Sequence, residues 1–260
     1  MAEKGAKQVS LVGIEDKREI TAVLAVNMAG EMLPAQVIYG GSTERCHPTF
    51  EFPKDWHITH TPNHWSTEGS MLTYVEKIIK PYVEKVRERM GSGQPALCIF
   101  DTFAAHKTQS VQKKLEEIKV KYVVIPPGCT GELQPLDLTV NDYFKRKLKG
   151  HFNDWYSDEV ERELRGGLNP TTSKANFQLS VIKPLHAGWM VSAFAQTKER
   201  VNLIRSGFSK AGLLQTLVDT DISGADTEES SSDEDILEMD TSSPVPPPCS
   251  LTLPPCRYPL

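Results

Sequence analysis

The chain has 260 residues, of which 39% are apolar and 24% charged, enough for one domain of moderate size with a buried core. No run approaches the ~18 consecutive apolar residues of a membrane-spanning helix, and the opening residues lack the apolar stretch of a signal peptide, so a membrane protein is not expected. The five cysteines are scattered and never form a CxxC pair. This pattern argues against a disulfide framework or a zinc ribbon and favours a reducing compartment, cytosol or nucleus.

The net charge of −5 is unevenly distributed along the chain. Residues 219–260 carry ten acidic side chains and one basic one, whereas residues 1–218 hold 28 basic and 24 acidic side chains. The acidic segment also contains the proline-rich stretch Pro244–Pro248. Because so polar a segment cannot offset its own ordering entropy, residues 219–260 are predicted to be a disordered acidic tail.

Two runs rich in β-branched residues come first in the folded part. Ile20–Val26 ends at a glycine-containing turn and Pro34–Tyr39 follows, so the two are predicted to form a β-hairpin. Between Ser66 and Gly91, apolar residues recur at three- and four-residue steps. This spacing predicts an amphipathic helix, bent near Pro81.

The second half of the body alternates between strand and helix patterns. Ala96–Phe100 and Tyr122–Ile125 are short apolar runs typical of strands buried on both faces, and Thr108 is a candidate cap for a helix between them. A further helix is predicted from about 138 to 160, and two or three short helices within 177–217. Such alternation predicts an α/β layer with parallel crossovers, followed by a helical appendage.

Two carboxylates each follow one of the buried strands. Asp101 comes directly after Ala96–Phe100, and Asp137 ends the proline-rich turn after Tyr122–Ile125, with 35 residues between the two aspartates. Neighbouring strands of an open α/β sheet present their carboxyl ends to one crevice, so the two side chains are expected to converge. Together they could hold divalent cations that activate a water or a 3′-hydroxyl against a phosphodiester. An aspartate at a strand end can also be a turn or cap residue.

Other titratable residues near this pair have open roles. His106, five positions past Asp101, could contact a metal-bound phosphate or could serve as a packing or capping residue. Glu132 is an alternative to Asp137, although its turn gives a side chain less geometric definition. Asp142 is expected on a helix surface.

The segment from Trp56 to Trp65 contains three histidines, His57, His60 and His64. A proline interrupts their spacing and no cysteine or carboxylate completes a tetrahedral set, so a zinc site is not expected here. The two tryptophans are expected to pack over the first helix instead.

A basic run lies on the helix directly after Asp137 and comprises Lys145, Arg146, Lys147 and Lys149. These side chains could contact the phosphates of a DNA strand entering the site, or could form a solvated helix face. The chain contains neither a helix-turn-helix nor zinc-finger spacing, so no reading of DNA sequence is predicted.

Several of these features together resemble one family, namely Ile99–His106, Gln134–Asp137, Asp142–Phe144, and the hairpin between Thr21 and Tyr39. They are similar to the DDE superfamily endonuclease domain, and more narrowly to the pogo/Tigger branch of the mariner-like transposases and the genes derived from them. The resemblance covers about residues 8–205, and His186–Trp189 resembles the segment that closes that domain.

The resemblance implies an RNase H-like fold in which three carboxylates bind two Mg²⁺ or Mn²⁺ ions and cut and rejoin DNA. By position, Asp101 matches the second carboxylate and Asp137 the third, which makes them the expected catalytic and metal-binding residues. The first would stand on a more N-terminal strand in a motif like Asn-Met-Asp-Glu-Thr, which the chain does not contain. Glu15 and Asp16 are poor substitutes because they lie in a polar turn.

We therefore expect an incomplete RNase H-like core, a mixed sheet flanked by helices but without its first central strand, in residues 1–165. A helical part of the same domain follows in 166–218, and the disordered tail occupies 219–260. The predicted function is a nuclear, transposase-derived domain that binds DNA, with His106 and the basic run as contacts, and that is catalytically inactive as this chain stands. Alternatives are a domesticated module that binds chromatin proteins through its helical surface and acidic tail, and a decayed copy that folds poorly.

Overall fold

A computed structural model describes residues 20–91, 93–166 and 175–214. The predicted acidic tail, Glu15 and Asp16 lie outside the described residues, as does most of the stretch 166–175, which the sequence predicts to be a loop. Among the helices described, none combines the length and the apolar character needed to cross a bilayer.

The described elements follow one another as strands β1–β5 and helices α1–α7. Their order is β1 (Ile20–Val23), β2 (Gln36–Gly40), β3 (His57–Thr61), α1 (Glu68–Tyr74), α2 (Lys80–Met90), β4 (Ala96–Phe100), α3 (Gln109–Glu117), β5 (Val120–Val124), α4 (Thr130–Leu133), α5 (Asn141–Arg165), α6 (Leu179–Lys198) and α7 (Val201–Lys210). Short 3₁₀ turns cover Glu44–Cys46 and Ala104–Lys107, and π-helical turns cover Val75–Ile79 and Leu136–Val140. This is a mixed α/β architecture.

The strands form two sheets within the described residues. β1 and β2 pair antiparallel with Ile20 opposite Tyr39, which confirms the predicted hairpin. β3, which the sequence patterns did not predict, adds to β2 in parallel. β4 and β5 pair in parallel as a separate sheet, with Ala96 opposite Val120. The parallel pairing expected of these two strands is confirmed, but they do not join the first sheet.

A cavity of about 310 Å³ lies between the two sheets. Its lining includes β1, the whole of β4, and apolar side chains of the first helix such as Met71 and Tyr74. Within the described part of the chain, β1 pairs only with β2, and β4 only with β5. Each strand therefore has one sheet edge without a strand partner, and the cavity lies along both strands.

The prediction that β4 and β5 are buried on both faces is wrong. Leu97 is 58% exposed and Val123 51% exposed. The opposite face packs against helices, because Val120 belongs to the core formed with Val111 and Leu115 of α3. The β4–β5 sheet is thus covered by helices on one face, while Leu97 and Val123 on the other face are exposed.

The first predicted helix is interrupted rather than smoothly bent. Thr67 caps it, since its Oγ1 accepts from the Ser70 amide (3.3 Å) while the Ser70 Oγ accepts from the Thr67 amide (2.8 Å). Pro81 lies in the first turn of α2, directly after the π turn Val75–Ile79. Because proline has no N–H to donate to the preceding turn, the wider turn accommodates it. Gly91 ends the helix at a φ of 109°.

Two apolar clusters form the core. One lies between the three-stranded sheet and helices α5–α7 and includes Tyr39, Phe144, Met190 and Ile204. The other lies between the first helix, α3 and the β4–β5 sheet. Helices α6 and α7 confirm that the described part of 177–217 is helical and packs on the sheet, but α6 is one helix of 20 residues rather than a short one.

Of the two tryptophans in the His-rich segment, Trp56 is placed differently from the prediction, away from the first helix. Trp56 packs edge-on against Phe194 of α6, with ring centroids 4.8 Å apart, and belongs to the first cluster. Trp65 stacks on Phe103 at 6.1 Å. Trp56 therefore anchors α6 to the three-stranded sheet, since β3 begins at the next residue and directs the ring toward that helix.

Helix α7 contacts the turn before α5 at a glycine. A Cβ atom added to Gly207 would lie 2.5 Å from the Pro135 carbonyl oxygen and 2.7 Å from Thr139 Oγ1. Only a residue without a Cβ permits this approach. The contact therefore holds the π turn Leu136–Val140 against α7 and fixes the position of Asp137, which lies in that turn.

We expect Gly207→Ala to lower the free energy of unfolding by about 1–3 kcal/mol, because the added methyl group overpacks a contact with backbone atoms that cannot move aside. Urea denaturation measures the change. Gly150→Ala on α5 is the matched control: a Cβ there meets no atom within 4 Å, so it should be neutral or stabilising by up to about 1 kcal/mol. Equal effects of the two substitutions would contradict the close-packing account.

Candidate functional site

Asp101 lies at the carboxyl end of β4, where the sequence placed it. The residue is only 8% exposed. Its Oδ1 accepts a hydrogen bond from the Phe103 amide (3.0 Å), and His106 Nδ1 lies 2.5 Å from the same oxygen. The bond to the amide two residues on is that of an Asx-turn, so Asp101 does have the turn role that strand-end aspartates often have. Both contacts engage Oδ1.

Asp137 lies at the start of the long helix that ends at Arg165, not directly at the end of β5. It belongs to the π turn Leu136–Val140. Asn141 Nδ2 donates to Asp137 Oδ1 (2.6 Å), whereas Oδ2 is buried and has no hydrogen-bond partner among the described residues. A buried carboxylate oxygen without a donor is costly, which makes this atom a candidate cation ligand.

The two carboxylates act on each other electrostatically. Burial raises the pKa of Asp137, and the charge of Asp101 raises it further, while the Asn141 hydrogen bond and the charge of Lys145 lower it; the net shift is upward. Asp101 and His106 line the inter-sheet cavity together with Gln134, Leu136 and Asn141, which flank Asp137 in sequence. The fold thus brings the segments that carry Asp101 and Asp137 to one region.

The residues present suit a hard divalent cation. Mg²⁺ and Mn²⁺ prefer oxygen ligands, and Mg²⁺ is commonly held by one or two carboxylates while keeping several waters. The unpaired Oδ2 of Asp137 and the carboxylate of Asp101 supply such oxygens. A cation would also offset the burial and the charge of Asp101, which raise the pKa of Asp137.

The other acidic candidates are exposed. Glu132 lies on the surface of α4, in contrast to the partly buried Asp137. Asp142 lies on the surface of α5, as predicted, and forms an ion pair with Arg146 (2.9 Å). Such exposed pairs add little to stability.

The basic run lies on the first turns of α5, next to Asp137. Arg146 and Lys147 lie over the Tyr143 ring, at 5.8 and 5.4 Å from its centroid. Arg200, at the junction of α6 and α7, lies 5.6 Å from the same centroid. Lys145 is near enough to Asp137 to lower its pKa. Together with Lys149, these residues form one positively charged surface, which we call the α5 basic surface.

The sequence patterns missed two members of this region. Asn141 is four residues after Asp137, a spacing that places both side chains on one helix face, so the spacing alone could have identified it. Arg200 is distant in sequence and only tertiary packing brings it to Tyr143, so no local signal could have identified it.

Comparison with known proteins identifies related sequences. Residues 17–200 match the family model described as DDE superfamily endonuclease. The chain is 29% identical over 140 residues to "Pogo transposable element with KRAB domain" of Homo sapiens, covering 54% of this chain and 22% of that protein, with the same figures for the Mus musculus protein. It is 26% identical over 175 residues to "MFS-type transporter clz9" of Cochliobolus lunatus, covering 64% of this chain and 18% of that protein. The chain therefore spans about a fifth of the length of these relatives. No solved structure matches it.

We expect Asp137→Asn to raise the free energy of unfolding at pH 7, because it removes a charge that burial and Asp101 disfavour in the folded state. The folded-state pKa lies above the ordinary value of 3.8, so the folded protein binds the proton more tightly than the unfolded chain. The destabilisation that the Asp137 charge causes is therefore fully present at a pH above the folded-state pKa. It disappears as the pH falls below the ordinary pKa of 3.8. Urea denaturation at pH 7 and below about pH 4 should show that Asp137→Asn increases the free energy of unfolding only at the higher pH.

Asp142→Asn is the control for this comparison, since Asp142 is exposed and its ion pair with Arg146 lies at the surface. Its effect should stay within about 0.5 kcal/mol. A loss of stability in Asp137→Asn at pH 7 would contradict the assignment of Asp137 as a disfavoured buried charge.

Proposed function

We propose that this chain, which belongs to the DDE superfamily endonuclease family, is a transposase-derived domain. In this proposal the domain binds DNA in the nucleus and does not cut it as this chain stands. The observation that carries the proposal is the position of two carboxylates 36 positions apart in the numbering of the chain: Asp101 lines the inter-sheet cavity, and Asp137 lies between residues of the same lining. The buried Oδ2 of Asp137 has no hydrogen-bond partner among the described residues, which favours a cation ligand over a purely structural carboxylate.

An RNase H-like core is the arrangement proposed for these elements. The order of the strands supports this arrangement. An antiparallel hairpin comes first, and a parallel strand pair follows after the first helices. In this proposal residues 1–165 form the incomplete core, and residues 166–218, which include α6 and α7, complete the domain. Within the described residues no strand pairs with the edges of β1 and β4 that border the cavity, which supports this proposal.

Asp101 and Asp137 are the residues proposed to hold Mg²⁺ or Mn²⁺. Such ions, when bound, supply Lewis-acid activation of a phosphodiester and of the attacking oxygen. The chain's own residues would position the two carboxylates. His106 and the Phe103 amide orient Asp101 through Oδ1, and Asn141 orients Asp137 through its own Oδ1.

The absence of cleavage is proposed from the ligand count. The family resemblance implies three carboxylates, and among the described residues Asp101 and Asp137 are the two candidates. Glu132 and Asp142 are exposed and do not complete the set. Two carboxylates would suffice to hold one divalent cation, whereas a two-ion site would need a further protein ligand.

DNA binding is proposed for the α5 basic surface. Lys145 lies close enough to Asp137 to influence its ionisation, so a phosphate bound by this surface would lie beside the carboxylate pair. His106, held by Asp101, is a second proposed contact. Because the basic side chains meet phosphates rather than base edges, the binding should be insensitive to sequence and strongly dependent on salt.

We expect the fourfold variant Lys145→Gln, Arg146→Gln, Lys147→Gln and Lys149→Gln to bind duplex DNA about tenfold or more weakly at moderate salt. The slope of log K against log salt should fall by about 0.9 for each lost phosphate contact. Fluorescence anisotropy across a salt series measures both. The matched control neutralises Lys77, Lys80, Lys85 and Arg89 on the first helix, which removes the same charge from another surface and should leave most of the slope intact.

Incubation of the same proteins with supercoiled DNA and Mg²⁺ or Mn²⁺ tests the absence of cleavage. No nicking above background is expected for the wild type or for Asp101→Asn. Robust nicking that Asp101→Asn abolishes would show that the chain is an active enzyme. If the wild type binds no DNA at moderate salt, the domain is better explained as a module that binds chromatin proteins.

A further inference from the structure

A second cluster of metal-binding side chains lies away from the carboxylate pair. It consists of Cys46, His47 and His60, whose ligand atoms all lie within 4.8 Å of one another. His60 Nδ1 is 3.2 Å from His47 Nε2, and the two rings meet edge-on with centroids 5.1 Å apart. All three side chains are half-buried, so they are held by the fold and still open to solvent.

Tertiary packing brings these three residues together. His60 lies on β3, while Cys46 and His47 come from the 3₁₀ turn Glu44–Cys46 and the residue after it. A Cβ at Gly41, φ 154°, would lie 2.5 Å from Cys46 Cβ and 2.9 Å from its sulfur, so the glycine permits the turn to fold back over the end of β2. Lys183 Nζ of α6 donates to the Cys46 carbonyl oxygen (2.7 Å) and fixes the turn from the other side.

A buried tyrosine next to the cluster has an unsatisfied hydroxyl. Tyr39 is 2% exposed, and its hydroxyl oxygen has no hydrogen-bond partner among the described residues. Its ring centroid is 5.7 Å from that of His47. Buried polar atoms normally find a partner, and a thiolate is an acceptor that the hydroxyl could use.

We propose that Cys46, His47 and His60 bind one Zn²⁺ ion, which clamps the connection between β2 and β3 against the sheet. One thiolate and two imidazoles are the ligands that zinc prefers, whereas Mg²⁺ and Mn²⁺ prefer oxygen. Tetrahedral zinc with bonds of ~2.0–2.3 Å separates its ligand atoms by roughly 3.5 Å, so small side-chain movements complete the site. Water takes the fourth position. The site is independent of the proposed DNA binding.

The expected result of a Co²⁺ and Zn²⁺ titration of the full reduced chain is one equivalent bound with micromolar or tighter affinity. Bound Co²⁺ should show the thiolate-to-metal charge-transfer absorption that a cysteine ligand produces, and Zn²⁺ should displace it and raise the melting temperature. Cys46→Ser should abolish the charge-transfer band, and His60→Gln should weaken Zn²⁺ binding about tenfold or more.

Matched controls use the same residue types outside the cluster. Cys129→Ser, Cys249→Ser and Cys256→Ser should keep the charge-transfer band. His64→Asn should keep Zn²⁺ affinity, since His64 lies in the same segment at a φ of 58° that asparagine tolerates. The double variant Asp101→Asn with Asp137→Asn should also keep the band, which separates this site from the carboxylate pair.

Three outcomes would overturn the proposal: no band with the wild type, a band that persists in Cys46→Ser, or a band lost in the double aspartate variant. Circular dichroism checks that each variant is folded. If Cys46→Ser does not fold, His60→Gln and His47→Asn decide the question, and unchanged Zn²⁺ affinity in both would refute the assignment.

Discussion

Asp101 and Asp137 lie on segments that border one cavity, and the Asp137 carboxylate is disfavoured there: burial raises its pKa, and the charge of Asp101 raises it further. The Asn141 hydrogen bond and the charge of Lys145 offset part of this shift, while the Phe103 amide and His106 contact Asp101. The Gly207 contact holds the turn that carries Asp137, so relaxation by moving the charges apart is restricted. One oxygen of Asp137 still lacks a donor. A divalent cation would satisfy that oxygen and cancel the remaining repulsion.

The separation of the described strands into two sheets leaves β1 and β4 each with one unpaired edge. β1 and β4 both line the cavity, and neither has a strand partner on that side within the described ranges. Unpaired strand edges are a cost that proteins normally cover or pair. Here helices α1 and α2 line part of the cavity with apolar side chains, which limits the exposed edge. Asp101 follows β4 directly, so its position depends on a strand supported by β5 on one side only.

The sequence predicted those features that local patterns encode. The hairpin, β4, β5 and the first helix follow from apolar runs and periodicity, and all are present, although β5 begins two residues earlier and ends one residue earlier than predicted. β3 was missed because His57–Thr61 mixes histidine, threonine and one isoleucine, a pattern without clear alternation. The argument against zinc in the histidine segment rested on the interrupting proline and on the lack of a cysteine or carboxylate to complete a tetrahedral set. Tertiary packing, which the sequence does not reveal, brings Cys46 next to His60. His57 and His64 instead bond with Gln36 and Thr21.

Paramagnetic broadening by Mn²⁺ in the amide NMR spectrum tests the shared-cation claim most directly. If Asp101 and Asp137 bind the same ion, the amide signals of residues 100–103 and 136–138 should broaden together at the same low Mn²⁺ concentration. Asp137→Asn should weaken the broadening at both segments. Broadening at one segment alone, or at both with unrelated concentration dependence, would show that the two carboxylates do not share a cation.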